Sequence, residues 1–216
     1  MSEPLLVATG VRKWFMSGDE RVTPVDGIDL AVHAGEIVLI TGPSGSGKTT
    51  LLQLLVGFQR PDEGDVSWPG GGDTPSWSAV AVVPQSLGLL DELTAAENVA
   101  LPLLARPDGV ARDAAARVAM ALTAVDAGAL ADRLVGETSL GQQQRIAVAR
   151  ALVGHPLVIV ADELTSHQDG DHAREVLQAL QTAAQRGAAC LIAGHDPLLA
   201  TVATRVLHLQ SGRLAS

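Results

Sequence analysis

The strongest chemical signal in the sequence is the segment GPSGSGKT at residues 42–49, which fits the pattern G-x-x-x-x-G-K-[ST]. It follows the apolar run IVLIT and precedes the helix-forming stretch KTTLLQLLV. Glycines allow the backbone N–H groups of such a loop to approach an anion closely, and a helix start adds a favourable potential for negative charge. The sequence therefore predicts a phosphate-binding loop at a turn from a strand into a helix.

Two side chains of this loop predict a nucleotide with a metal ion. Lys48 is placed to reach β- and γ-phosphates, and the Thr49 hydroxyl is placed to bind Mg²⁺. Only two of the 15 basic residues are lysines, so a lysine at this position is notable. We expect the nucleotide to contact the whole loop, which comprises Gly42, Pro43, Ser44, Gly45, Ser46, Gly47, Lys48, Thr49 and Thr50.

Polar residues follow three other apolar runs. Asp162 and Glu163 come directly after LVIVA, Gln85 ends AVAVVPQ, and His195 ends CLIAGH. Each alone is unremarkable, because strand ends often carry solvated polar groups. Ligands of open α/β sheets, however, bind outside the carboxyl ends of the strands, so all four side chains should face one crevice with the loop. We expect Asp162 to hold the metal ion and Glu163 to polarise an attacking water.

These residues require a sheet that places the strand ends together. The runs at 37–41, 79–83, 157–161 and 190–193 alternate with helical patterns at 48–56, 142–153 and 171–185, which indicates a mainly parallel sheet. The predicted fold class is an α/β P-loop NTPase. The long stretch between Val83 and Leu157 contains no convincing central strand, so residues 86–150 are predicted to form a helical subdomain. Residues 1–85 and 151–216 then form the nucleotide-binding core of a single domain.

Composition excludes several classes of function. The formal charge of −9 argues against a nucleic-acid partner, which would require a basic face. The single cysteine, Cys190, permits no internal disulfide and suits a reducing compartment. No run reaches the roughly 18 apolar residues that a membrane span needs, and the first residues do not form a signal peptide. A soluble cytoplasmic protein is therefore expected.

The chain resembles the nucleotide-binding subunits of ABC transporters from about Leu5 to Leu214. The segment SLGQQQRIAVARAL at 139–152 is similar to the family signature LSGGQ followed by QQRVAIARAL. The segment LLDELTAAENVALPLL at 89–104 resembles the branch that contains lipoprotein-release, macrolide-export and cell-division systems. The resemblance implies the ABC ATPase fold, in which an antiparallel N-terminal β part and an inserted helical subdomain accompany the parallel core.

The resemblance also implies residue roles, with ATP and Mg²⁺ as the cofactors. Gln85 would contact Mg²⁺ and the attacking water, and His195 would contact the γ-phosphate. Asp169 would close a loop across a dimer. Trp14 would stack on adenine, although it could instead be a partly buried core ring, with Phe15 taking its place.

The signature residues Ser139, Gly141 and Gln142 would bind ATP held by a second, identical subunit. From the residues alone, Ser139 and Gln142 form the pattern S-x-x-Q, which predicts a capping box at the start of a helix. An ATP-dependent homodimer is therefore expected. Because the chain contains no membrane span, a separate membrane permease would be its partner and would hold it at the inner face of the cell membrane.

The sequence departs from the family pattern at two positions. Leu140 replaces a signature glycine, which predicts strain if that position needs a positive φ or a close approach. Leu164 replaces the proline after the catalytic glutamate, which removes a fixed φ and predicts a looser loop. We therefore expect slow or partner-dependent hydrolysis.

Other interpretations remain open at this stage. The chain could regulate a membrane partner without translocating a substrate, or, less favoured by its length and charge, act on nucleic acid or ribosomes. A small-molecule kinase shares the phosphate loop but not the signature. Leucines 87, 89, 90 and 93 predict either a groove for the permease or simple packing of the subdomain. The branch resemblance favours export or extraction of a substrate from the membrane.

Overall fold

The computed structural model describes residues 3–68, 75–105, 113–164 and 170–215. The strands in this part of the chain are β1 (Pro4–Ser17), β2 (Glu20–His33), β3 (Ile37–Thr41), β4 (Glu63–Ser67), β5 (Val80–Val83), β6 (Val158–Asp162), β7 (Ala189–Ala193), β8 (Arg205–Gln210) and β9 (Arg213–Ala215). The helices are α1 (Lys48–Leu55), α2 (Ala95–Leu104), α3 (Ala114–Ala124), α4 (Leu140–Leu152), α5 (Gly170–Gln185) and α6 (Pro197–Val202).

The larger sheet has the strand order β5-β6-β7-β3-β8-β9. Its first five strands are parallel, and only β9 is antiparallel, paired to β8. The four predicted strands are confirmed as β3, β5, β6 and β7, with ends within one residue of those predicted. Because β6, β7 and β3 are neighbours, the residues that follow them meet at one edge of the sheet.

A second, antiparallel sheet has the order β2-β1-β4. Strands β1 and β2 pair over 14 residues each, with several irregularities in register. These irregularities increase local twist, as expected where a long hairpin curves over a helix. The predicted α/β class is confirmed, with a mainly parallel core and an antiparallel N-terminal part.

Helix α1 packs between the two sheets. Alternate residues of β3 point to opposite faces, so Val38 and Ile40 join the cluster around α1 while Ile37 and Leu39 pack on the other side. Four leucines of α1 are buried: Leu51, Leu52, Leu54 and Leu55. A strand covered on both faces reads as a continuous apolar run, which explains the segment IVLIT.

Helices α2, α3 and α4 lie between β5 and β6 and pack on one another. The predicted capping box of α4 is confirmed: the Gln142 N–H donates to Ser139 Oγ, and the Ser139 N–H donates to the Gln142 side chain. A second capping box, formed by Thr94 and Glu97, begins α2. Both helices are therefore fixed at their first turn by their own sequence.

A fully buried asparagine, Asn98, joins α2 to the segment before it. Its Oδ1 accepts the Leu90 N–H at 2.9 Å, and its Nδ2 donates to the carbonyls of Leu90 and Thr94, each at 3.0 Å. Nδ2 also lies 3.3 Å from the Leu93 carbonyl. One side chain thus ties α2 to the segment before it by four hydrogen bonds and supplies the acceptor for the Leu90 N–H.

Cys190 lies in the centre of the core, on β7 between β3 and β6, and is fully buried. Burial raises the pKa of its thiol to about 12. Among the residues described here, no helix has the length and apolarity required to cross a lipid bilayer.

The contacts of Asn98 predict that Asn98→Ala lowers the free energy of unfolding by about 3 kcal/mol, because four hydrogen bonds of a fully buried side chain are lost at once and the Leu90 N–H loses its acceptor. Urea denaturation measures the change. Thr123→Ala is the control, since that hydroxyl makes one exposed hydrogen bond within α3. A loss for Asn98→Ala no larger than that of the control would contradict the role assigned to Asn98.

Candidate functional site

A cleft of about 790 Å³ opens at the carboxyl ends of the parallel strands. It is lined by Pro24, Gly42, Pro43, Ser44, Gly45, Gly47, Lys48, Thr49, Thr50, Gln85, Asp162, Glu163 and His195. The structure therefore brings together almost the whole predicted loop and all four predicted strand-end residues. Ser46 is buried and is not among the residues that line the cleft. Pro24 of β2 is a wall residue that the sequence pattern did not indicate.

Two glycines of the loop are required by close contacts with the backbone on either side. A Cβ on Gly47 would lie 1.9 Å from the Pro24 carbonyl oxygen, and Gly47 also has a positive φ of 105°. A Cβ on Gly42 would lie 2.1 Å from the carbonyl oxygen of Leu209. The loop is therefore wedged between β2 and β8, which fixes the direction in which its N–H groups point.

The N-terminus of α1 carries no side-chain cap, and its N-cap residue is Gly47. The first N–H groups of a helix have no partner within the helix and attract anions. Here they belong to residues that line the cleft. The Ser46 hydroxyl is not one of these donors, because it is buried away from the cleft, where it has no hydrogen-bond partner among the described residues. This set of donors, with an ammonium group beside it, fits a polyphosphate.

The Lys48 side chain folds back over the loop. Its Nζ donates to the Gly42 carbonyl at 2.8 Å and to the Pro43 carbonyl at 3.1 Å. The ammonium group is thus held at the mouth of the loop, beside the N-terminus of α1. A phosphate that enters the loop meets both the positive charge and the free N–H groups.

Thr49 and Asp162 form the oxygen-rich side of the cleft. The Thr49 hydroxyl donates to Asp162 Oδ2 at 2.8 Å, and Asp162 is only 8% exposed. Burial raises the pKa of the Asp162 carboxyl and the nearby Glu163 charge adds to this effect, while the Thr49 hydrogen bond and Lys48 oppose it. A hydroxyl beside a carboxylate offers the hard oxygen ligands that Mg²⁺ prefers, so these residues fit that metal ion.

Glu163 is held in a left-handed backbone conformation with φ 57°. Its N–H donates to the Ala193 carbonyl at 2.9 Å, and its carboxylate Oε2 lies 3.3 Å from Nδ1 of His195. A non-glycine residue in this region costs about 1–3 kcal/mol and requires support from its surroundings. The carboxylate therefore stands at the cleft beside an imidazole, in a geometry imposed by neighbouring strands.

Gln85 is exposed in the cleft, and the chain after it is tied to α4. Leu87 and Gly88 both have positive φ values, and the Arg150 guanidinium donates to both of their carbonyls. Leu87 is buried in the core, whereas Leu90 is 48% exposed. The leucines predicted to form one groove or packing cluster thus lie in different environments, because Leu87 belongs to the core and Leu90 to the surface.

Trp14, on β1, is half-buried and does not line the cleft. The backbone N–H of Trp14 donates to Asp62 Oδ2 at 2.8 Å. This hydrogen bond, followed by the one from Lys13, lowers the pKa of the Asp62 carboxyl. The guanidinium of Arg21 lies 3.7 Å from the centre of the Trp14 ring. The register places Trp14 beside the stretch of β2 that contains Pro24, and thus beside the cleft wall.

The signature residues Ser139, Gly141 and Gln142 are also absent from the lining of the cleft. They begin α4 and leave its first turn on the surface, where Leu140 is 46% exposed. Asp169 lies outside the described residues.

The strain that a positive φ would cause at Leu140 is absent from this conformation of the chain. Leu140 is the first residue of α4 and is not among the residues with a positive φ. A first-turn helical residue points its side chain outwards, so leucine is accommodated without a backbone cost. Leu164, the other residue that differs from the family pattern, is completely buried. Its side chain packs in the core, which holds residue 164 itself without the fixed φ of a proline.

The burial of Asp162 predicts that Asp162→Asn raises the free energy of unfolding at pH 7, although it removes a metal-binding carboxylate. A raised pKa means that ionising Asp162 costs more in the folded than in the unfolded chain. This gain in the free energy of unfolding should shrink as the pH falls towards 3.8, the ordinary pKa of an aspartate. Wild-type Asp162 is then protonated, and so is as neutral as the asparagine that replaces it.

Urea denaturation across this pH range measures the effect, with the exposed Asp19→Asn as control. A variant less stable than wild type at pH 7 would contradict the prediction.

Comparisons with known proteins agree with this geometry. The family model described as ABC transporter matches residues 25–166. The chain is 39% identical to the lipoprotein-releasing system ATP-binding protein LolD of Chromohalobacter salexigens, over 99% of this chain and 94% of that protein. It is 37% identical to the macrolide export ATP-binding/permease protein MacB 1 of Aeromonas hydrophila subsp. hydrophila, over 100% of this chain but only 35% of that protein.

The fold agrees with a solved structure, the dimeric post-hydrolysis state of the ATP-binding cassette MJ0796 bound to ADP and phosphate. The TM-score is 0.91 at 28% identity, and the superposition covers 98% of this chain and 97% of that one. With the phosphate loop, the acidic strand end and the capped signature helix in place, the chain belongs to the ABC transporter family, as an ATPase cassette.

Proposed function

We propose that this ATPase energises a separate membrane permease, in export or in extraction of a substrate from the membrane. The observation that carries the proposal is the cleft itself. An uncapped helix N-terminus and Lys48 lie on one side of it, and Asp162 and Glu163 lie on the other. Phosphate recognition and an acid–base group thus share one site.

The residues of the phosphate loop bind the nucleotide. The N–H groups at the start of α1 and Lys48 hold the β- and γ-phosphates, and Lys48 exchanges its present carbonyl acceptors for phosphate oxygens. Adenine stacks on Trp14, beside the cleft wall at Pro24. Because Arg21 lies against the Trp14 ring, a base on that face requires Arg21 to move.

Thr49, Asp162 and Gln85 would hold Mg²⁺ with the phosphates. A bound Mg²⁺ would supply positive charge to neutralise the phosphate oxygens. The Thr49–Asp162 hydrogen bond places two of these oxygen ligands together in advance.

Glu163 acts as the general base. Its carboxylate accepts a proton from a water molecule whose oxygen forms a bond to the γ-phosphorus, while the bond from that phosphorus to the β–γ bridging oxygen breaks. The products are ADP and inorganic phosphate. His195 contacts the γ-phosphate and, at 3.3 Å from Glu163, orients the carboxylate.

The signature residues act on a second copy of the chain. Ser139, Gly141 and Gln142 present the start of α4 on the surface, away from their own cleft. A helix N-terminus with a serine hydroxyl suits the γ-phosphate held by another subunit. ATP then joins two subunits, Asp169 contributes to the same interface, and hydrolysis separates them.

The permease docks beside Gln85, on exposed aromatic surface. Phe58 and Trp77 are each more than half exposed, their ring centres are 5.7 Å apart, and both line a groove that includes Pro102. An apolar cytoplasmic helix would cover these rings and hold the chain at the inner face of the membrane. The helical part at 86–150 moves against the core formed by 1–85 and 151–216. The names of LolD and MacB support an exporting or releasing system.

The role of Glu163 predicts that Glu163→Gln lowers the rate of ATP hydrolysis by about 10²–10⁴-fold, because an amide cannot accept the proton. ATP binding should persist, so the variant should accumulate as a dimer with Mg·ATP. Phosphate release measures the rate, and light scattering measures the mass.

The exposed Glu92→Gln is the control and should match wild type. Unchanged hydrolysis in Glu163→Gln would identify a different base, and a variant that binds ATP but stays monomeric would contradict the shared interface at Ser139–Gln142.

The role of Trp14 predicts that Trp14→Ala weakens ATP binding by about 1–3 kcal/mol, roughly 5- to 150-fold in Kd, because a base loses its stacking partner. Titration with a fluorescent ATP analogue measures Kd. Trp77→Ala removes an exposed tryptophan outside the cleft and should leave Kd unchanged. Equal Kd values for both variants would place adenine elsewhere.

A further inference from the structure

The middle of α4 carries a buried glutamine that reaches the candidate catalytic loop. Gln144 is 2% exposed, and its Nε2 donates to the backbone carbonyl of Glu163 at 2.9 Å. The acceptor is the peptide group that joins Glu163 to Leu164. This amide is a direct polar link between the helix that begins with the signature and the residue that carries the carboxylate.

The hydrogen bond acts on a peptide whose conformation is unfavourable without support. Glu163 is left-handed, and its N–H is held from the other side by the Ala193 carbonyl of β7. Its carbonyl is held by Gln144. Both backbone polar groups of Glu163 are therefore fixed, one by the sheet and one by α4, and together they determine where the side chain leaves the backbone.

The oxygen atom of the same amide shows that packing alone does not explain why a glutamine occupies position 144. Gln144 Oε1 is buried and has no hydrogen-bond partner among the described residues, which is a cost to stability. An apolar side chain of similar volume would avoid that cost. What it would lose is the hydrogen bond donated to Glu163.

We propose that Gln144 is a positioning residue for hydrolysis: its amide stabilises the left-handed conformation of Glu163 and makes the direction of the carboxylate depend on α4. The proposal rests on the proposed role of Glu163 as general base. It adds that movement of the signature helix changes the alignment of the base within the same chain, without any contact between Gln144 and the nucleotide.

The adjacent Gln143 provides a matched control. It has the same residue type on the same helix, but its Nε2 donates to the carbonyls of Val135 and Thr138 in the turn before α4. Replacing each glutamine by leucine removes one buried or half-buried amide. Only Gln144→Leu removes a contact with Glu163.

We expect Gln144→Leu, in the full chain, to lower kcat by about 10–100-fold while the Kd for ATP stays within about twofold of wild type, because a small misalignment of a reacting group is costly in rate. Gln143→Leu should keep kcat within about threefold of wild type. Phosphate release under single-turnover conditions, titration with a fluorescent ATP analogue and urea denaturation supply the three readouts. A loss of kcat, affinity and stability together would show a structural role and overturn the proposal.

Gln144→Glu provides a second test that does not depend on the folding of the leucine variant. A protonated carboxylic acid can still donate to the Glu163 carbonyl, whereas an ionised one cannot. The ratio of its kcat to that of wild type should therefore rise as the pH falls from about 9 to about 6, since burial favours the neutral acid. For Gln144→Leu the same ratio should not change with pH, and a flat ratio for Gln144→Glu would overturn the proposal.

The outcomes separate this inference from the proposed function. If wild type binds ATP but shows no hydrolysis even in a single turnover, the proposed function fails and the inference fails with it. If wild type hydrolyses ATP, Glu163→Gln does not, and Gln144→Leu matches wild type, the inference alone is overturned.

Discussion

The structure depends on helix α1, which is buried along its length but has an uncapped N-terminus. Helix α1 contributes four leucines to the core between two sheets, yet in the described part of the chain no side chain caps its N-terminus. The burial fixes the helix, and the backbone contacts of Gly42 and Gly47 fix the turn that leads into it. This fixed, uncapped end faces the cleft, and the other polar groups of the site line the same cleft.

Helix α4 is the second organising element. Its first turn presents the capped signature, its middle holds the Glu163 carbonyl through Gln144, and its last turn holds the carbonyls of Leu87 and Gly88 through Arg150. Burial lowers the pKa of the Arg150 guanidinium, which has given up water to make these bonds. One rigid helix thus contacts the segments after β5 and β6, so these two sides of the cleft cannot change position independently.

The sequence was sufficient to predict four of the five parallel strands, the phosphate loop, the convergence of Gln85, Asp162, Glu163 and His195, and the capping box of α4. These features are local, because a short apolar run followed by a polar residue is visible without knowledge of the fold. Strands β8 and β9 were not identified, since their burial alternates and their neighbours are distant in sequence. Gln144 and Pro24 owe their importance to contacts across the fold, and the surface position of Leu140 follows from where α4 begins.

The position of Cys190 gives the protein an internal reporter of its own opening. It is the only thiol in the chain, and because burial raises its pKa to about 12, it stays protonated at neutral pH while the core is closed. Its strand is covered on both faces and paired on both edges. A thiol reagent can reach the sulfur only when the central sheet separates, so the rate of alkylation measures how often the core opens, with or without nucleotide, and no label needs to be introduced.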